Sequence, residues 1–274
     1  MTESPASMVD RVVLILGVFE RSAGWLTLGQ VSSRSGLPRS SVHRILQQLV
    51  DAKLLYRMDN EYALGLRMFE IGSLVVGRSR LMDVARPLIQ NLAAKTGLVA
   101  HLALLEGQDV LYLEKVGGAF AASLPSRVGG RLPAHCTGVG KAILAYSPRA
   151  VTADYFERGL RRLTTASIAT PENLDAALRR IRQVGYAVEQ EESAPGVACV
   201  AAPILDVGTA IAGISVCGPR GRVHVDELRN QVMWTAAEIS RGHVTAGRGV
   251  PPRGCSGQRE TVERARPEPA TIPA

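Results

Sequence analysis

Residues Ser35–Leu55, SGLPRSSVHRILQQLVDAKLL, open on a glycine and a proline and continue as a helix with two unlike sides. Val42, Ile45, Leu46 and Leu49 recur at steps of three and four residues, so they share one face of a helix. Ser40, His43, Arg44 and Gln47 fall on the other side. Gly36 suits the sharp turn that ends a preceding helix, and Pro38 suits the start of the next one. Arg39, Ser40 and Ser41 then occupy the first turn, where short hydroxyls allow the backbone to approach a phosphate or a base closely. His43 and Arg44 carry donors long enough to reach base edges or phosphates. One reading is a helix that enters a major groove by its amino-terminal end. The other is an amphipathic helix on a small core with a solvated polar face.

The flanks favour the groove. On the amino-terminal side, Val9, Val12, Val13, Leu16 and Phe19 predict one helix with a shared buried face. Thr27 and Gln30 stand at the spacing of a capping box, which starts a second, short helix ending at Gly36. On the carboxyl-terminal side, extended runs at Leu54–Arg57 and Glu61–Leu64 flank an Asp59-Asn60 turn and predict a hairpin. Arg57 and Asn60 on it could lie over the backbone or minor groove. Helix, helix, turn, helix and hairpin make a winged helix-turn-helix over residues 1–65.

The whole chain of 274 residues carries a net charge of +7, which favours an anionic partner without conferring specificity. Residues 1–80 hold ten Lys/Arg against seven Asp/Glu, so the excess is not concentrated there. Cys136, Cys199, Cys217 and Cys255 form no CxxC pair, which argues against a zinc ribbon or a redox motif. The start MTESPASMVDR lacks a signal-peptide pattern, and VVLILGVF is too short to span a bilayer. A cytoplasmic, reduced protein without membrane contact is expected.

Beyond the hairpin, residues 66–86 predict a linker helix that Pro87 should break or bend. Residues 87–245 alternate between strands and helices. VAHLALLEGQDVLYLEKV reads as two strands joined at Glu106-Gly107-Gln108. Thr170 and Pro171 begin a helix that runs to Gly185. Strands follow at Tyr186–Glu189, Val197–Leu205 and Ala210–Val216, then a last helix over VDELRNQVMWTAAEIS. Residues 246–274, rich in Pro, Gly, Arg and Glu, have the composition of a disordered tail.

Three passages, SGLPRSSVHRILQQL, LPAHCTGVGKAILAY and GYAVEQEESAPGVACVAAPILDVGTAIAGISVCGP, are similar to the isocitrate-lyase-regulator (IclR) family of bacterial transcription factors. The resemblance covers roughly Met8 to Val244. It implies an α+β chain: an N-terminal winged helix-turn-helix, a linker helix and a C-terminal GAF-like α/β domain that binds a small effector. It also implies homodimers, often paired into tetramers, on a roughly palindromic operator in double-stranded DNA. Carried over position by position, the effector site falls on Gly138 and Val139, Glu189, Cys199, Ser215 and Cys217, with Ala121 and Leu124 as an apolar wall. The family often has serine at both Ser215 and Cys217, and Cys217 departs from that.

Backbone amides at a helix start, as at Gly138 and Val139, attract an anion, and Ser215 can add a hydrogen bond. Glu189 would repel a carboxylate ligand unless protonated, so it is expected to accept from a ligand donor. A small organic acid is therefore the expected effector, with no cofactor or metal. Plainer readings stand beside these: Gly138 and Gly140 as a tight turn, Cys199 and Cys217 as small buried hydrophobes, Glu189 as surface charge. A rival function is a ligand-binding or assembly module whose helix-turn-helix does not read DNA. A thiol enzyme built on His135 and Cys136 is a further rival, although sequence neighbours rarely face each other. GVGKA is no phosphate loop, because His135 replaces the required glycine and Ala142 the required Ser or Thr.

Overall fold

The computed structural model describes residues 7–20, 22, 24–77 and 79–245. The tail expected at 246–274, which includes Cys255, lies outside the described residues. The chain divides into two compact units, Met1–Met82 and Asp83–Ala274.

The first unit contains α1 (Met8–Glu20), β1 (Leu26–Thr27), α2 (Leu28–Ser35), α3 (Arg39–Asp51), β2 (Leu55–Met58), β3 (Glu61–Leu64) and α4 (Leu66–Gly77). The capping box is present: Thr27 Oγ1 accepts from the Gln30 amide at 3.3 Å, and Gln30 Oε1 from the Thr27 amide at 2.8 Å. Gly36 ends α2 in the left-handed region at φ 70°, a conformation that costs a glycine little. All four apolar residues of α3 named above are buried against Ile15, Val18, Phe19, Val31 and Leu55. The hairpin forms with Met58 opposite Glu61, and β1 adds a third antiparallel strand along β3. Two residues carry no periodicity, so β1 is invisible in the sequence.

The buried face of α1 is the expected one only in part: Phe19 is buried and Val12 and Leu16 pack against the core. Ile15, Val18 and Phe19 point into the core, whereas Val9 and Val13 are 70% and 61% exposed. Apolar residues occur on more than one side of α1, and periodicity alone does not say which side meets the core.

The helical stretch after the hairpin also breaks elsewhere than expected. α4 ends at Gly77, and α5 (Arg80–Thr96) continues past Pro87 without a break. An interior proline costs about 3 kcal/mol. Burial of Ala85, Ile89, Leu92 and Ala93 along one side of α5 offsets that cost.

The second unit continues with β4 (Val99–Glu106), β5 (Asp109–Val116), β6 (Arg131–Pro133), α6 (Gly138–Ala145), α7 (Arg149–Glu157), α8 (Pro171–Val184), β7 (Ala187–Gln190), β8 (Val197–Asp206), β9 (Thr209–Pro219) and α9 (Val225–Thr245). A single-turn helix, Ala119–Ser123, follows β5. The sheet order is β6-β5-β4-β9-β8-β7, antiparallel throughout. Nearly all of β8 is buried, which explains its continuous apolar run VACVAAPIL. Both α6 and α9 pack on β8 and β9.

Candidate functional site

In the first unit, α3 leaves Arg39, Ser40, His43 and Arg44 exposed, with Ser41 and Gln47 half-buried. Gln47 Nε2 donates to Asp51 Oδ1 one turn on, at 3.4 Å. Gln48, exposed on the same helix, was passed over although it stands one turn beyond Arg44. On the hairpin, the Arg57 guanidinium lies 5.8 Å from the centre of the Tyr62 ring, and its Nε donates to the Asp59 carbonyl at 2.9 Å. Asn60 stands exposed at the turn. The polar residues of α3 therefore share a solvent-facing surface while its apolar stripe holds the helix down.

In the second unit, the antiparallel register lines up Glu189, Cys199, Cys217 and Val99 across β7, β8, β9 and β4. The neighbouring row on the same face is Ala187, Ala201, Ser215 and His101. α6 lies on this face. A Cβ built on Gly138 would stand 2.9 Å from Cys199 Sγ and 3.5 Å from Glu189 Cβ. One built on Gly213 of β9 would meet Val139 Cγ2 at 2.7 Å. The Val139 side chain is thus committed to packing, and its amide is what remains for a ligand. Thr137 caps α6 by accepting from the Gly140 amide at 3.0 Å. The amides of Gly138 and Val139, in the first turn, have no acceptor within the helix. Leu124 packs with Val99 and Val197, and Ala121 and Cys217 adjoin that cluster. Gly138, Val139, Glu189, Cys199, Ser215, Cys217, Ala121 and Leu124 are therefore gathered around one face of the sheet. Gly140 is demanded by close packing, since a Cβ there would lie 2.3 Å from the Ala134 carbonyl oxygen.

Glu189 is 1% exposed, so it is not surface charge. Its Oε1 accepts from the Glu192 amide at 2.7 Å, the Ser193 amide at 3.0 Å and Ser193 Oγ at 3.3 Å. One carboxylate oxygen is thus already engaged by its own loop. Burial pushes the carboxyl up to about 7, against the opposing pull of the Ser193 amide. Beneath the same loop, the buried Lys141 ammonium pairs with Glu192, as a charge removed from water must.

Sequence reasoning missed several groups here. His101 is 1% exposed, with Nε2 2.8 Å from Ser126 Oγ and no partner for Nδ1 among the described residues. The Tyr112 ring lies 5.1 Å from it. Strand alternation in VAHLALLE puts His101 on one face, but only the β4-β9 pairing brings it beside Ser215. Lys141 gave no signal, because a lysine in GVGKA reads as exposed.

His135 and Cys136 do not address each other. His135 Nδ1 meets the Tyr155 hydroxyl at 2.8 Å, and Cys136 Sγ donates to the Arg161 carbonyl at 3.5 Å. Among the described residues, no group of three or more His, Cys, Asp or Glu could hold a metal ion. No described helix is long and apolar enough to cross a membrane.

Two family profiles match the chain: the IclR helix-turn-helix domain over residues 8–59, and the bacterial transcriptional regulator IclR C-terminal domain over residues 73–241. The chain is 34% identical over 240 residues to the HTH-type transcriptional regulator XynR of Escherichia coli (strain K12), covering 85% of this chain and 95% of that protein. It is 36% identical over 242 residues to the HTH-type transcriptional regulator BhcR of Paracoccus denitrificans (strain Pd 1222), covering 85% and 86%. Among solved structures, an IclR homolog from Microbacterium hydrocarbonoxydans complexed with 4-hydroxybenzoate superposes with a TM-score of 0.78 at 28% identity. That match covers 87% of this chain and all of the other. The chain belongs to the IclR family of bacterial transcriptional regulators, with an amino-terminal helix-turn-helix that binds DNA and a carboxyl-terminal effector domain.

Proposed function

We propose that the protein is a cytoplasmic homodimer, or a pair of dimers, that binds a roughly palindromic operator and changes its grip when a small organic acid binds. The observation that carries the choice of ligand is the start of α6 over the row Glu189, Cys199, Cys217. Free amides at a helix start favour an anion. With its carboxyl raised to about 7, Glu189 is protonated in half or more of the molecules at and below neutral pH, so it need not repel a ligand carboxylate. Its protonated form can donate a hydrogen bond as well as accept one. The 4-hydroxybenzoate bound to the Microbacterium homolog is an acid of this kind.

The apolar residues left open on α1 and α4 support a second copy of the chain. Phe69, Leu74 and Val75 are 73%, 60% and 76% exposed, in addition to Val9 and Val13. The route from effector to operator runs along the chain through α5 and α4. A shift of a few ångströms in the spacing of two recognition helices is enough to alter affinity, because half-sites are separated by fixed helical turns.

The test is an anisotropy titration with the DNA upstream of the protein's own reading frame, at two salt concentrations and with competitor DNA. Binding that survives competitor, and then changes on adding organic acids, is the expected result. Binding that collapses with salt and ignores every acid overturns the operator and effector assignments together.

A further inference from the structure

We propose that Cys199 and Cys217 form a peroxide-oxidisable dithiol, whose reversible conversion to a disulfide gives the effector face a second, redox input. The chemistry stands on the sheet geometry alone, and its regulatory consequence rests on the effector reading above.

The two cysteines are register partners on β8 and β9. Directly opposed residues of an antiparallel pair have Cα atoms about 4.5 or 5.5 Å apart, and both separations lie in the range a disulfide spans. Their side chains project from the same face, as those of directly opposed residues do. Both are free thiols. Little backbone movement therefore separates the dithiol from the bridge.

The surroundings divide the roles. Cys217 is half-buried, whereas Cys199 is 2% exposed beneath Gly138. Ser215 Oγ stands 3.8 Å from the Cys217 sulfur, and His101 is the register partner of Ser215 on β4. Cys199, with His101 and Ser215, lowers the Cys217 thiol, whereas Cys217 and burial raise the Cys199 thiol. Cys217 is thus the nucleophile and Cys199 the resolving thiol. The Cys217 thiolate attacks one peroxide oxygen and the O–O bond breaks, leaving a sulfenic acid on Cys217 and a hydroxide that takes up a proton from solvent. The Cys199 sulfur then attacks the sulfenic sulfur. The S–S bond forms, the S–O bond breaks, and the departing hydroxide leaves as water with the Cys199 proton. Two electrons pass from the sulfurs to the peroxide. The bridge removes the S–H donor and ties β8 to β9 directly under the start of α6.

The test treats full-length protein with hydrogen peroxide, caps the remaining thiols, and maps the digest by mass spectrometry. A Cys199–Cys217 cross-linked peptide is expected, reversed by dithiothreitol, retained in Cys136→Ser and lost in Cys217→Ser. In Cys199→Ser the sulfenic acid should persist, so that dimedone labels Cys217. Operator affinity of oxidised and reduced wild-type protein should differ about fivefold or more, the size of an ordinary allosteric coupling. If both thiols stay available to the alkylating agent after peroxide, the proposal is overturned and the organic-acid reading is untouched. If the cross-link forms and operator affinity does not move, the redox input is overturned, while release by organic acids still tests the effector reading separately.

Discussion

Gly138 lies flush against Cys199: a single methyl added to it would stand 2.9 Å from the Cys199 sulfur, closer than a real Cβ approaches another heavy atom. The start of α6 is therefore seated on β8 with no space for a side chain. Gly138→Ala must lift that end of the helix or displace Cys199. It should cost about 1–3 kcal/mol of stability in urea unfolding, as overpacking does. It should also abolish the effect of organic acids on operator binding. A variant that responds like wild type would remove Gly138 from the ligand site.

The raised Glu189 carboxyl makes the effector domain less stable as pH rises. Between the ordinary value of 4.5 and about 7, the folded state holds a proton that the unfolded state has lost. Stability therefore declines with pH across that window, by up to about 3 kcal/mol. Glu189→Gln should flatten the decline, seen as urea midpoints that converge between about pH 5 and about pH 8. Binding of a carboxylate effector should weaken above about 7 in the wild type and much less in the variant. An unchanged pH profile in the variant would assign the dependence to another group.

Arg44→Ala should weaken specific operator binding by about 1–3 kcal/mol, the value of one good base contact, and leave effector binding intact. The same substitution at a mere phosphate contact would weaken all DNA alike and reduce the salt slope by about one. Comparing operator with random DNA at two salt concentrations separates the cases.

Thr27→Ala removes one side of the capping box that begins α2. A loss of about 1 kcal/mol is expected, with the denaturant slope unchanged. Calorimetry should place the effect in the first unit's transition and leave the second unit's melting unaltered.

Lysine at both Phe69 and Leu74 puts charge on the exposed apolar part of α4. Light scattering should then show loss of the proposed dimer, or weakening of it at low concentration. An unaltered mass would place the self-association surface elsewhere.

Much of this molecule is local and so is legible in its sequence. Periodicity placed Val42, Ile45, Leu46 and Leu49 in the core, and spacing announced the Thr27–Gln30 box and the Asp59-Asn60 turn. Each depends on residues within a few positions of one another. The buried side of α1 emerged only in part, through Val12, Leu16 and Phe19, because both Val9 and Ile15 are apolar and only packing chose between them. The path of α5 through Pro87 was likewise decided by burial along its length, which outweighs a local preference for a break.

The candidate effector site divides along the same line. Its residues were identified one at a time from motifs similar to those of a family, but their juxtaposition belongs to the sheet. Cys199 and Cys217 meet because β8 pairs with β9 in one register, and His101 joins Ser215 because β4 lies on the other side of β9. A register shifted by one residue would turn every one of these side chains to the opposite face. Residue types and local helix signals are properties of the chain in order. Strand order, register and the burial that raises Glu189 arise only when distant segments are brought together, and those are what gather the candidate residues on one face.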